Sequence, residues 1–289
     1  MHLVRYDSGN GPQVGVRRDD SITPVSGVGS MADLLAMPHE ELRATVESAS
    51  AAPVPVAPVR LLAPLDGRAE LWCAGVTYAR SRSARMEESA EQSVYDKVYS
   101  AQRPELFPKA PAWRLVTDGE PVGIRADSGH DVPEPELAVV INAHGEIIGY
   151  TVCNDMSSRS IEGENPLYLP QAKVYAGAAA LAAGIRPVWE VPDATALAIT
   201  LVVRRGEHEV VAAETSSSRL VRPIQQLVDH LFAANHFPDG AALATGTGIV
   251  PDMGFSLQPG DMVEIEVAEV GRLTNRVEVG KEPFAWLNR

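Results

Sequence analysis

Two carboxylates one residue apart open a segment that otherwise reads as a buried strand, Val132-Pro133-Glu134-Pro135-Glu136-Leu137-Ala138-Val139-Val140-Ile141. Residues i and i+2 of a strand point to the same side, so Glu134 and Glu136 present their oxygen atoms to one point. Side by side against an apolar run, the two charges repel each other and lose hydration. A hard divalent cation offsets both costs. A third carboxylate, Asp155, ends the next strand-like segment, Gly149-Tyr150-Thr151-Val152-Cys153-Asn154-Asp155. The turn-like Asn142-Ala143-His144-Gly145 folds that segment back against the first, and the three acids are expected to meet. Taken alone, a Glu-x-Glu at a strand start is more often a solvated edge, so the metal reading rests on the wider context.

A chain of 289 residues, 45% of them hydrophobic, can furnish one large domain with a smaller appendage. The formal net charge of −13 argues against nucleic acid and anionic membranes as partners. Cys73 and Cys153 lie in apolar runs and read as buried free thiols, as a reducing compartment allows. The N-terminal residues lack the apolar core of a secretion signal, and the Ala-rich stretch from Tyr175 to Ile185 is too short to cross a bilayer. A cytoplasmic protein is the expectation.

Along the chain, residues 1–26 read as short strands, 30–48 as helix, and the Pro-rich 52–58 as a stiff extended connector. This divides the protein into a small N-terminal α/β domain with linker, 1–58, and a catalytic body, 59–289. Within the body, Glu70 to Val76 reads as a buried strand and Ser83 to Ser100 as a charged helix with Glu87, Glu88 and Glu91 on a solvated face. Strands are expected at Ala196 to Val203, Glu209 to Ala213 and Met262 to Val267, with a helix over roughly Pro223 to Ala234.

Asn154-Asp155-Met156-Ser157-Ser158-Arg159-Ser160 and Pro170-Gln171-Ala172-Lys173-Val174-Tyr175, following the Glu-x-Glu pair in order, resemble the signature segments of the fumarylacetoacetate hydrolase family. The resemblance runs from about Leu71 to Val279. It implies a β-rich α+β fold, a mixed β-sandwich roll, for the body. It further implies Glu134, Glu136 and Asp155 as ligands of magnesium or a similar ion, Lys173 facing the substrate's oxygen atoms, and a homodimer or homotetramer paired through the roll. Arg159, and Glu162 in place of a common Gln, fall where members contact substrate. Ala244-Thr245-Gly246-Thr247-Gly248 matches the family's Thr-Gly-Thr turn, which puts Thr247 near the substrate carboxylate. A carboxylate-only ligand set favours Mg²⁺, with Mn²⁺ as the alternative, and the seven His residues form no ligand pattern.

The chain departs from the family's hydrolases around Tyr78. Those enzymes carry Asn-Tyr followed by His and then Glu, an acid–base pair that activates water. Here Gly75-Val76-Thr77-Tyr78-Ala79-Arg80-Ser81-Arg82-Ser83-Ala84-Arg85 puts Thr77, Ser81 and Ala84 at the Asn, His and Glu positions. This segment, with Arg103-Pro104-Glu105-Leu106-Phe107-Pro108-Lys109 and the stretch from Ile161 to Gln171, resembles the branch that dehydrates 2-keto-3-deoxy sugar acids. That resemblance makes Glu105 the candidate acid–base group beside Lys173, with Tyr78 among the substrate contacts and a small 2-keto acid as substrate. A solvated loop glutamate at 105, a surface lysine at 173, an Arg159–Glu162 salt bridge along one helical turn and a core role for Tyr78 are the plainer readings. A hydrolase or decarboxylase of acylpyruvate-type acids is the alternative activity, and a non-catalytic binding protein the third.

Overall fold

The computed structural model describes residues 1–88 and 92–288. Glu91 lies outside the described residues, as does the side chain of Glu88, while Glu87 is exposed.

Every residue of the strand Pro135–Ile141 is buried, because its two faces serve two different cores. Leu137, Val139 and Ile141 enter one, and Ala138 and Val140 the other. That double coverage is why the segment reads as an unbroken apolar run. It pairs antiparallel with Ile147–Asp155, Glu136 opposite Cys153. Asn142 organises the turn between them, its side-chain oxygen accepting from the amides of His144 and Glu146 while its Nδ2 donates to the Met37 carbonyl. On the other edge lies Ala241–Ala244, which runs parallel to Glu70–Gly75, and that strand in turn pairs antiparallel with Glu105–Pro111. Among the described residues these strands are the middle and one end of a twelve-stranded sheet.

A second, five-stranded sheet that includes Ala198–Arg205, His208–Ser216, Met262–Val267 and Gly271–Val279 covers one face. Ile199, Leu201, Val263 and Ile265 meet Leu137 and Val139 there, and Leu227 and Leu231 of the helix Ile224–Phe232 close the layer. The fold is thus the expected β-rich α+β arrangement. The opposite face is covered from the N-terminal part, whose Leu3, Val16, Leu34 and Leu42 pack with Leu71, Ala138 and Val140.

That N-terminal part does not form a sheet of its own. His2–Asp7 pairs with Gly184–Pro187, which pairs with Ile147–Asp155, so the N-terminal strands prolong the sheet that carries the acids. The Pro-rich segment is docked as well, Val54–Pro55 pairing with Ser21 and Ile22. The helix expected over 30–48 is two helices, Met31–Leu35 and His39–Glu47. Pro38 at the second N-cap separates them, since proline offers no amide and holds its predecessor out of the helical region. The segment from 79 to 100 likewise holds two helices, Ala79–Glu88 and Gln92–Ser100.

Candidate metal centre and cleft

Glu134 and Glu136, flanking Pro135, meet Asp155 from the end of the paired strand, with one oxygen of each within 4.8 Å of the others and all three side chains buried. Oxygen atoms bound to one Mg²⁺ at about 2.1 Å stand roughly 3–4 Å apart, so a small inward rotation converts this cluster into a ligand set. Glu136 shows the strain of the arrangement: burial and the neighbouring Asp155 and Glu134 carboxylates push its carboxyl well above the ordinary range. The Gly246 amide, donating to Glu136 Oε2 at 2.7 Å, only partly opposes them. The donor chemistry, three buried oxygen acids with no nitrogen or sulfur ligand beside them among the described residues, fits a hard divalent cation.

Cations surround these acids. Lys173, at the end of the helix Leu169–Lys173, donates to Asp155 Oδ2 at 2.9 Å and to Ser157 Oγ at 2.6 Å, and lies 3.1 Å from Glu134 Oε1. Burial disfavours its charge, but Asp155, Glu134 and Glu162 outweigh burial and hold it protonated above the usual lysine range. Lys109 lies 2.6 Å from Asp155 Oδ1 and donates to the carbonyls of Met156 and Lys173. Burial raises the Asp155 carboxyl, yet Lys109 and Lys173 carry it below the ordinary carboxylate range. Arg85 bridges Glu134 at 2.8 Å and Glu162 at 2.9 Å, and Arg159 stands 3.1 Å from Glu134.

The three acids, Lys173, Arg85 and Glu162 line a cleft of about 20 Å³, enough for a single water, with Gly75, Val76, Ser81, Phe107 and Glu105 among the rest of its wall. Glu105 is half-buried; burial and the Glu162 carboxylate push its acid up to about 7, against the pull of Arg85 and Lys173. Ser81 donates to the Tyr78 carbonyl in the first turn of its helix, and Ala84 is buried. A larger cavity of about 960 Å³, lined by Trp113, Arg125, Tyr175 and Phe284, holds none of the clustered acids and takes no part in this chemistry.

The structure therefore gathers Glu105, Glu134, Glu136, Asp155, Glu162, Lys173 and Thr247 around one cleft. Thr247 Oγ1 bonds within its own turn, donating to the Ile249 carbonyl at 3.0 Å, and the Gly246 amide of that turn is engaged by Glu136. Arg159 is outside the lining and braces Glu134 from behind, and Glu162 pairs with Arg85. Tyr78 is 1% exposed, is not among the lining residues, and sits against Gly248. Three contributors had gone unassigned. Lys109 follows Glu105 and Phe107 at alternate positions of one strand, Ser157 follows Asp155 by two, and Arg85 lies four after Ser81 on one helical face. The periodicities of strand and helix could have marked each.

Residues 70–278 match the family profile described as fumarylacetoacetate (FAA) hydrolase C-terminal, and residues 1–64 match one described as Rv2993c-like, N-terminal. The chain is 45% identical over 214 residues, 74% of its length and 73% of the relative's, to a probable 2-keto-3-deoxyxylonate dehydratase of Haloferax volcanii. It is 39% identical over 224 residues, 76% of its own length and 75% of the relative's, to a 2-dehydro-3-deoxy-D-arabinonate dehydratase of Saccharolobus solfataricus. Among solved structures, 2-keto-3-deoxy-D-arabinonate dehydratase complexed with magnesium and 2,5-dioxopentanoate superposes with a TM-score of 0.84 at 31% identity, over 98% of this chain and all of that one.

Proposed function

Because the chain belongs to the fumarylacetoacetate hydrolase family, we propose that it is a Mg²⁺-dependent hydro-lyase that converts a 2-keto-3-deoxypentonate such as 2-keto-3-deoxy-D-arabinonate into 2,5-dioxopentanoate and water. One observation carries this reading. The cleft keeps the three-acid cluster and Lys173, while Ser81 on its wall and buried Ala84 on the same helix fall at the sequence positions where the family's hydrolases carry their water-activating His and Glu. Ser81 has its hydroxyl committed to a backbone carbonyl and Ala84 carries no titratable group, so nothing at these positions generates a hydroxide. The magnesium and product held by the neighbour at a TM-score of 0.84 support the same reading.

Glu134, Glu136 and Asp155 would hold the metal, with Mn²⁺ as the alternative ion. When bound, it supplies Lewis-acid polarisation of the 2-keto group and an anchor for the carboxylate. Lys173, held protonated and fixed by Asp155 and Ser157, presents positive charge where the enolate oxygen develops. Glu105 moves the protons. Elimination removes one from C3 and returns one to the departing C4 hydroxyl, and conversion to the aldehyde shifts further protons from C5 and its hydroxyl to C3 and C4. A carboxyl at about 7 is present in both protonation states near neutrality, as alternating donation and abstraction require. Arg85 and Arg159 neutralise Glu134 and Glu162 and hold them in place, and Thr247 lies on the cleft wall where the substrate carboxylate would sit. Tyr78 supports that wall from behind.

The 2-keto and 3-deoxy positions carry no configuration, so a 2-keto-3-deoxypentonate keeps C4 as its single stereocentre. The arabinonate and xylonate names of the two relatives therefore describe one compound when both derive from D sugars. Incubation of purified protein with this acid should yield 2,5-dioxopentanoate with added Mg²⁺ and nothing after chelation. Unaltered substrate in the presence of Mg²⁺ contradicts the assignment. The protein is further proposed to work in the cytoplasm as a homodimer or homotetramer. Buried Cys73 and Cys153, both free with thiols pushed up by burial, suit a reducing compartment, and exposed Trp113 and Leu167 offer apolar surface for assembly. A monomer by light scattering would refute the second part.

A further inference from the structure

Glu105 opens its strand directly opposite Gly75, the last residue of the neighbouring strand. A Cβ built on Gly75 would lie 2.0 Å from Glu105 Oε2 and 2.6 Å from its carboxyl carbon, and its third neighbour is Glu105 Cγ at 3.1 Å. The glutamate side chain thus lies across the Cα of Gly75, in the space that a cross-strand partner's side chain ordinarily fills. Gly75 is not among the residues with positive φ, so the backbone does not demand glycine there. All three atoms nearest the added carbon belong to Glu105, which leaves admission of that side chain as the reason for the vacancy.

We propose that Gly75 is the positioning residue for Glu105: by lacking a side chain it lets the carboxyl cross the strand pair and enter the metal cleft. The inference rests on the reading of Glu105 as the proton-transfer group. Any side chain at 75 turns the glutamate away, because the clash falls on the far end of a flexible chain and not on backbone. Glu136 and Asp155 stand on other strands, with Glu134 just ahead of the first of them, and all three stay where they are. The consequence is loss of proton transfer with metal binding intact.

A double-mutant cycle tests it, with Gly75→Ala, Glu105→Ala and the combined variant measured for kcat, KM, Mg²⁺ affinity by calorimetry, and melting temperature. Gly75→Ala should lower kcat by about 10²-fold, the effect of misplacing a reacting group by an ångström, with KM and Mg²⁺ affinity unchanged. It should shift the melting temperature of the wild-type chain by a different amount from that of Glu105→Ala, where no carboxyl stands to be displaced, and kcat should not fall further when it is added to Glu105→Ala. Equal losses from Gly75→Ala in both backgrounds, or a wild-type kcat for Gly75→Ala, would overturn the inference. Full activity of Glu105→Ala would instead overturn the proton-transfer reading, and the melting temperatures would still decide whether Gly75 accommodates Glu105.

Discussion

Glu136 and Asp155 are neighbours in one cluster with opposite electrostatics, so their amides should act in opposite directions on the metal-free protein. Glu136→Gln removes an acid that folding buries beside two other carboxylates, at the cost of either a buried charge or an uptake of a proton, and should raise the melting temperature without metal at neutral pH. Asp155→Asn takes the Asp155 counter-charge from buried Lys109 and leaves Lys173 only Glu134, and should cost about 3 kcal/mol, as breaking a buried pair does. Both should lose the extra stability that added Mg²⁺ gives the wild type, and thermal melts with and without Mg²⁺ read all of these effects. Glu105 yields a prediction with a definite pH window. Its folded pKa, about 7, lies above the ordinary carboxylate value, so the folded chain binds the proton more tightly and stability falls as pH rises from roughly 4.5 to 7. Glu105→Gln should therefore match the wild type in melting temperature near pH 4.5 and exceed it at pH 8 in metal-free protein, while turnover loses one limb of its pH profile. Lys173→Ala should lower turnover without removing that limb, since the lysine stays charged throughout.

At the scale of elements, the site exists because four strand ends and one short helix converge: Glu136 at the start of Pro135–Ile141 with Glu134 just before it, Asp155 from its partner, Gly246 after Ala241–Ala244, Glu105 at the start of Glu105–Pro111, and Lys173 ending its helix. Gly246 is the tightest of these junctions. Its φ of +97° suits glycine, and a Cβ there would lie 1.9 Å from Thr77 Oγ1, whose hydroxyl donates to the Thr245 carbonyl. Gly246→Ala should thus destabilise the protein by more than about 2 kcal/mol through strain and clash, and it should weaken Mg²⁺ binding by displacing the amide that holds Glu136. Denaturant unfolding and a metal titration would measure the two effects. The strand that follows Glu134 and carries Glu136, and its partner that ends on Asp155, were legible because alternation fixes which residues share a side, and an Asn-led turn fixes the pairing. The family resemblance, and not periodicity, pointed to Lys173 and Glu105. What the sequence could not show was Arg85 joining Glu134 to Glu162, or Gly75 yielding its side-chain space to Glu105, because such contacts arise only when segments distant in the chain are docked.

Among the described residues the twelve-stranded sheet is covered on one face by the five-stranded sheet and on the other by the N-terminal part. Leu34 and Leu42 shield the face that Ala138 and Val140 present, the side to which Glu136 points further along the strand, and His2–Asp7 extends the same sheet. The Pro-rich segment suggested a spacer between separable parts; the pairing of Val54–Pro55 with Ser21 and Ile22 is tertiary and invisible to composition. Removing residues 1–58 should therefore expose apolar surface and yield an insoluble or molten chain, which expression trials and circular dichroism would show; a soluble, cooperatively melting fragment would contradict this. The replacement of the hydrolytic pair by Ser81 and Ala84 bears on the reaction of the entire protein. A competition assay tests it most directly: the purified enzyme with Mg²⁺ receives equal amounts of 2-keto-3-deoxy-D-arabinonate and an acylpyruvate, and the products are identified by mass. The account predicts 2,5-dioxopentanoate with the acylpyruvate left intact; pyruvate and a carboxylic acid released from the acylpyruvate at an equal or greater rate would contradict it.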